Sequence, residues 1–185
     1  MKYVEPWSTQ LAHFNVADLV DLGALRDEIF NLHCLTEGDD PGQKWITSEF
    51  VPEIIRMRDE LITPRVIQYA KELWDYDIPK IEVETSGKWI PEGEGLFPHV
   101  HGGSCISTIF YPSPTNFGLS FFDPRSNAGR GYPKEIRDRF FKAFPIVPAA
   151  GDIWIFPSYL QHSVSHVQEN VRLSMLCEYY LRENV

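Results

Sequence analysis

Hydrophobic and polar positions change their period near residue 80, and that change divides the chain. Before it the spacing is helical. Asp21 precedes a stretch with Leu25, Ile29 and Leu32 on one face, which predicts a capped amphipathic helix. A second helix is predicted from about Phe50 to Ile62. Thr63-Pro64 then reads as an N-cap followed by proline at the first helical position. Val66, Ile67, Ala70, Leu73 and Trp74 continue at helical spacing, a core-packing stripe. Thr36 to Lys44 has loop composition. From Lys80 the period is two: Ile81 and Val83 alternate with Glu82 and Glu84, the pattern of a half-buried strand. Further strands are predicted over 88–91, 104–111, 118–122, 152–156 and 172–181, separated by loops rich in Gly, Pro, Ser and Asn. A short helix over 133–143 interrupts them, with Ile136, Phe140 and Phe141 expected to pack inward. No repeat or linker divides the chain. We read 1–185 as a single domain, with 1–79 a helical support region and 80–185 the β core. Short strands behind helices suggest a closed sheet or jelly roll.

Composition narrows the possibilities. The 185 residues allow one domain with a real core. The aromatic share of 14% and the 14 prolines suit a sheet-rich fold with many turns. A formal net charge of −9 argues against a duplex nucleic-acid surface, which needs clustered Lys and Arg. Cys34, Cys105 and Cys177 are scattered and odd in number, so a disulfide framework is not supported and a reducing, cytoplasmic setting fits. No apolar run is long enough to cross a membrane, and oligomeric state is not readable.

Candidate chemistry lies in the histidines. His99 and His101 are two apart, so an extended chain points both to one side, close enough to share a metal. Taken alone, such a pair is more often two loop residues in solvent. His162 follows an apolar strand led by Gly151. His166 lies four residues later and competes with it. Ten residues after His162 comes Arg172. Arg172 and Ser174 share one strand face, while Leu173, Met175 and Cys177 share the other. A guanidinium beside a hydroxyl suits a carboxylate, although a lone arginine is as often an ordinary ion-pair partner. His13 and His33 show no clear partner.

The order of these parts resembles the iron(II)- and 2-oxoglutarate-dependent oxygenases. The matching segments are Trp89-Ile90, His99 to Ser104, Ser107 to Tyr111, Phe122 to Arg125, Gly151 to Pro157, His162 and Arg172 to Ser174. They look closest to a little-characterised bacterial and phage subgroup with a His-x-His motif. The resemblance implies a mainly β double-stranded β-helix, a cupin-like jelly-roll barrel with N-terminal helices. It implies Fe(2+), 2-oxoglutarate and O2, and hydroxylation of a small molecule or peptide side chain. Metal ligands would be His99, His101 and His162. Arg172, Ser174 and Tyr111 would hold the cosubstrate, and Arg125 and Trp89 are candidate substrate contacts. The usual metal set is two histidines and a carboxylate. Here His101 stands at the carboxylate position, so the choice is three histidines, two histidines with water, or a carboxylate from Glu94 or Asp123. We favour three histidines. The rival readings are a three-histidine cupin enzyme without 2-oxoglutarate and a non-catalytic ligand-binding barrel.

Overall fold

The computed structural model describes residues 8–36, 51–78, 80–168 and 170–182. Among the described residues, nine strands form two antiparallel sheets. They are β1 (Ala12–Asn15), β2 (Lys80–Ile90), β3 (Leu96–His99), β4 (Ile106–Phe110), β5 (Leu119–Phe121), β6 (Phe144–Pro145), β7 (Asp152–Pro157), β8 (His162–Val164) and β9 (Arg172–Arg182). The larger sheet has the order β1-β7-β4-β9-β2 and the smaller β3-β8-β5-β6.

Alternation along the strands sorts side chains into two cores. On the outer face of the larger sheet, Ile106, Phe110, Ile153, Ile155, Leu173, Met175, Cys177 and Tyr179 pack against the helices. On the inner face, Ile90, Ile109, Tyr111 and Phe156 meet Leu119, Phe121 and Val164 of the smaller sheet. The sheets therefore face each other as the two layers of a double-stranded β-helix, and odd and even positions of one strand serve different cores.

Helix α1 (Leu22–Thr36) begins where expected, because Asp21 Oδ1 accepts the backbone N–H groups of Gly23 and Ala24 at 2.9 and 3.1 Å. Its stripe of Leu25, Ile29 and Leu32 is buried, each side chain contributing about 1.5–3 kcal/mol. It lies tightly against β2. A Cβ on Gly87 would come within 2.3 Å of the Ile29 carbonyl oxygen, so only glycine fits there.

Several expectations need correction. Thr63 does not cap a new helix: α2 (Pro52–Met57) runs through a π-helical segment, 58–62, into α3 (Thr63–Trp74). The Thr63 N–H donates to the Arg58 carbonyl, a five-residue step. That widened turn precedes Pro64, which has no N–H and would press on an ordinary helix. The Thr63 hydroxyl instead lies 3.2 Å from the Tyr179 hydroxyl. Ile67 and Trp74 are exposed, and Tyr69 joins Val66 and Ala70 in the core. The predicted strands near 80 and 88 are one strand, carried through Gly87. Helix α4 (Lys134–Phe140) buries no residue, so Ile136 and Phe140 do not pack inward. The N-terminal part is not helix alone, since β1 extends the larger sheet along β7. Phe50 and most of the loop expected over 36–44 lie outside the described residues.

Candidate metal centre

β3 and β8 pair so that His99 faces His162 directly across the ladder. His101 is two residues beyond the end of β3, and its backbone N–H donates to the Ser158 carbonyl at 3.1 Å, anchoring the loop to the turn after β7. The three rings gather: centroids lie 4.5 Å apart for His99–His162, 5.0 Å for His101–His162 and 5.4 Å for His99–His101. One ligand nitrogen from each lies within 4.8 Å of the others.

The other nitrogen of each ring is engaged. His99 Nδ1 is 2.7 Å from the Phe97 carbonyl oxygen, and His162 Nδ1 is 2.8 Å from that of Leu160. A carbonyl only accepts, so both rings carry the proton on Nδ1 and present the Nε2 lone pair. His101 Nδ1 lies 3.3 Å from Glu178 Oε1. The donor set thus suits a divalent ion of intermediate softness such as iron(II). Burial is the main cause that pushes the His162 imidazole down to about 4, which leaves it neutral near pH 7. No carboxylate joins the cluster among the described residues. Glu94 is exposed, and Asp123 is held by Arg125.

Arg172 heads β9, on the inner face, opposite Ile90. It is 1% exposed, an extreme value for a charged side chain. Its guanidinium donates to Ser174 Oγ at 3.1 Å and to the Tyr111 hydroxyl at 3.2 Å, and its Nε has no partner. Burial raises the Tyr111 phenol, against the pull of the neighbouring guanidinium. No carboxylate among the described residues pairs with Arg172. The cradle therefore fits the distal carboxylate of a diacid. Its charge is near enough to the cluster to be one of the influences that lower His162.

The remaining candidates fall elsewhere. Trp89 lies on the outer face of β2, with ring centroids 6.3 Å from Phe30 and 5.9 Å from His33, so it does not line the interior. Arg125 is exposed and paired with Asp123 through Nε at 2.9 Å and Nη2 at 2.6 Å, with Phe141 beneath it. His166 is exposed and apart from the cluster. His13 is on β1, 3.0 Å from an Asp152 oxygen.

Glu178 was missed by the sequence reading. It lies on the same strand face as Arg172 and Ser174, six and four residues along respectively, and the period of two was the available signal. The neighbouring His101 imidazole holds its carboxyl below the usual range.

A family model described as "Putative 2OG-Fe(II) oxygenase" matches residues 88–177, which carry all three histidines and Arg172. No curated protein matches the chain. Among solved structures, a 2OG-Fe(II) oxygenase family oxidoreductase from Burkholderia pseudomallei is 14% identical at a TM-score of 0.51. The match covers 72% of this chain, which spans only 58% of that one. HygX from Streptomyces hygroscopicus, with nickel and 2-oxoglutarate bound, is 13% identical at a TM-score of 0.60, covering 93% of this chain and 83% of that one. A Trichoplax adhaerens prolyl hydroxylase, solved with a hypoxia inducible factor peptide, is 13% identical at a TM-score of 0.64, covering 92% and 83%. At such identities the structures establish the fold. Segment 88–177 is thus similar in sequence to the iron(II)- and 2-oxoglutarate-dependent oxygenases, and the chain is similar to them in fold.

Proposed function

We propose that His99, His101 and His162 hold iron(II) through Nε2. On this reading Arg172, Ser174 and Tyr111 bind the far carboxylate of 2-oxoglutarate, and the enzyme hydroxylates a small molecule or a peptide side chain. The observation that carries this reading is the buried Arg172 guanidinium, which has two hydroxyl partners and no carboxylate partner among the described residues. A cation so placed is costly unless an anion joins it. When bound, iron(II) with 2-oxoglutarate and oxygen supplies the oxidation, yielding succinate, carbon dioxide and a hydroxylated product.

The chain's own groups orient and shield. Backbone carbonyls of Phe97 and Leu160 fix two imidazoles. Phe121 and Phe156 press on the His162 ring, with centroids at 5.9 and 5.2 Å, and keep water from that side. The Tyr111 hydroxyl and Ser174 Oγ hold the guanidinium flat for a two-point contact with a carboxylate. Three neutral imidazoles leave the ion's charge at +2, which the 2-oxoglutarate dianion balances. The three free thiols, two exposed and one buried, fit a reducing cytoplasm. Among the described residues no helix is long and apolar enough to cross a membrane.

The test has two parts. Purified protein with iron(II) and 2-oxoglutarate is screened for succinate release over metabolite and peptide pools. His162→Ala should lose the bound ion and all turnover. A variant that keeps its full metal content refutes the ligand assignment.

A further inference from the structure

Two of the three imidazoles are oriented by backbone of their own strand segment, each by the carbonyl two residues earlier. His101 has no such acceptor. Its Nδ1 faces a side chain from the opposite sheet, Glu178 of β9, at 3.3 Å. The carboxylate is itself fixed: Ser104 Oγ donates to Glu178 Oε1 at 3.2 Å. Ser104 Oγ and Ser158 Oγ are 2.9 Å apart, and Ser158 Oγ and Ser107 Oγ are 2.8 Å apart. Ser107 and Ser158 are fully buried. Ser107 and Glu178 are also register partners across β4 and β9. A row of hydroxyls thus runs from the barrel wall to one carboxylate oxygen, and that oxygen meets one imidazole.

We propose that Glu178 is a positioning residue that keeps the His101 proton on Nδ1, turns Nε2 toward the other two histidines, and supplies from one step back the negative charge that a carboxylate ligand would have supplied directly. This rests on the three-histidine metal reading above. A carboxylate behind a metal-bound imidazole fixes its tautomer and raises its basicity, and loss of such a partner costs about 10–100-fold in metal affinity. His99 and His162 keep their carbonyl partners whatever stands at 178, so the effect is confined to one ligand.

Glu178→Ala and Glu178→Gln are compared with the parent by cobalt(II) titration at one pH, by the visible spectrum of the cobalt form, and by NMR of isotope-labelled histidine in the metal-free proteins. The alanine variant should bind cobalt(II) about 10–100-fold more weakly, with an altered spectrum and with the His101 proton redistributed between its nitrogens, while His99 and His162 signals hold. The glutamine variant keeps an oxygen acceptor without the charge. It should retain the parental tautomer and recover part of the affinity, which no general loss of packing would produce. If the alanine variant does not fold, the glutamine variant decides alone: weaker cobalt binding with the tautomer kept supports the role, and parental affinity overturns it. Parental affinity and tautomer in both variants overturn the role of Glu178 and leave the metal site standing. A parent that binds no cobalt(II) overturns the metal reading itself, and this proposal with it.

Discussion

Replacing Arg172 with methionine should separate ligand affinity from stability: affinity falls while stability is nearly kept. Methionine is similar in length and carries no charge. In the free protein the guanidinium is 1% exposed and has only two neutral partners, at 3.1 and 3.2 Å, with Nε unpaired. Arginine does not shed its proton in proteins, so the fold carries the desolvation cost of a cation. Loss of the two hydrogen bonds costs about 1.5–3 kcal/mol each, since the donor is charged. Removal of the buried charge returns several kcal/mol. The two are of similar size and nearly cancel, so stability should change by less than about 2 kcal/mol. Affinity for 2-oxoglutarate should fall sharply. Loss of one charge-assisted contact of about 3 kcal/mol corresponds to roughly 150-fold in Kd. Urea unfolding of the metal-free protein gives the first quantity, and calorimetric titration of 2-oxoglutarate into the nickel form gives the second. Destabilisation by more than about 2 kcal/mol with an unchanged Kd would show Arg172 to be a structural residue, and the cosubstrate assignment would be wrong.

Two further outcomes are expected. His162 is held at about 4 in the fold, chiefly by burial, against an ordinary value of 6.5. Its contribution to stability is complete above pH 6.5 and is lost as pH falls through about 4, because the unfolded chain takes up the proton first. Metal-free His162→Phe should therefore show a shallower loss of urea midpoint across that window than the parent, and equal slopes would remove the histidine from the effect. Gly87→Ala places a methyl group 2.3 Å from the Ile29 carbonyl and 2.7 Å from the His33 nitrogen. A cost of about 1–3 kcal/mol is expected, read as a lower urea midpoint at constant slope, and a wild-type midpoint would mean that α1 can slide on β2.

Much of the candidate site was legible because the residues that form it follow a recognisable order along the chain. Histidines two apart, a Gly-led apolar strand before His162 and an Arg-x-Ser pair needed no register to be recognised. The inner face of β9 was readable as well, from the alternation of Arg172 and Ser174 with Leu173 and Met175. What escaped depends on partners distant in sequence. Trp89 is adjacent to Ile90, whose side chain does face the interior, and only the pairing of Ile90 with Arg172 tells the two apart. Glu178 shares the alternation of Arg172 and Ser174, but its place beside His101 shows only when the loop after β3 is laid against β9. Strands β1, β3, β6 and β8, of two to four residues, are too short for a period to register. Helix α4 has apolar residues at a packing interval, yet none of them is buried among the described residues, and periodicity is blind to what lies opposite.

The smaller sheet is the weak half of the barrel. Its strands number four, three, three and two residues, and its β3–β8 ladder shifts register between Leu96 and His99. Few rungs hold it, and one of them is the His99–His162 pair. On the proposed ligand set, an ion shared by those two rings would act as a rivet through the flimsiest seam of the barrel, with His101 and the loop after it clinched from the sturdier wall. Loading the enzyme should then slow amide exchange along β3 and β8 far more than along β4 or β7.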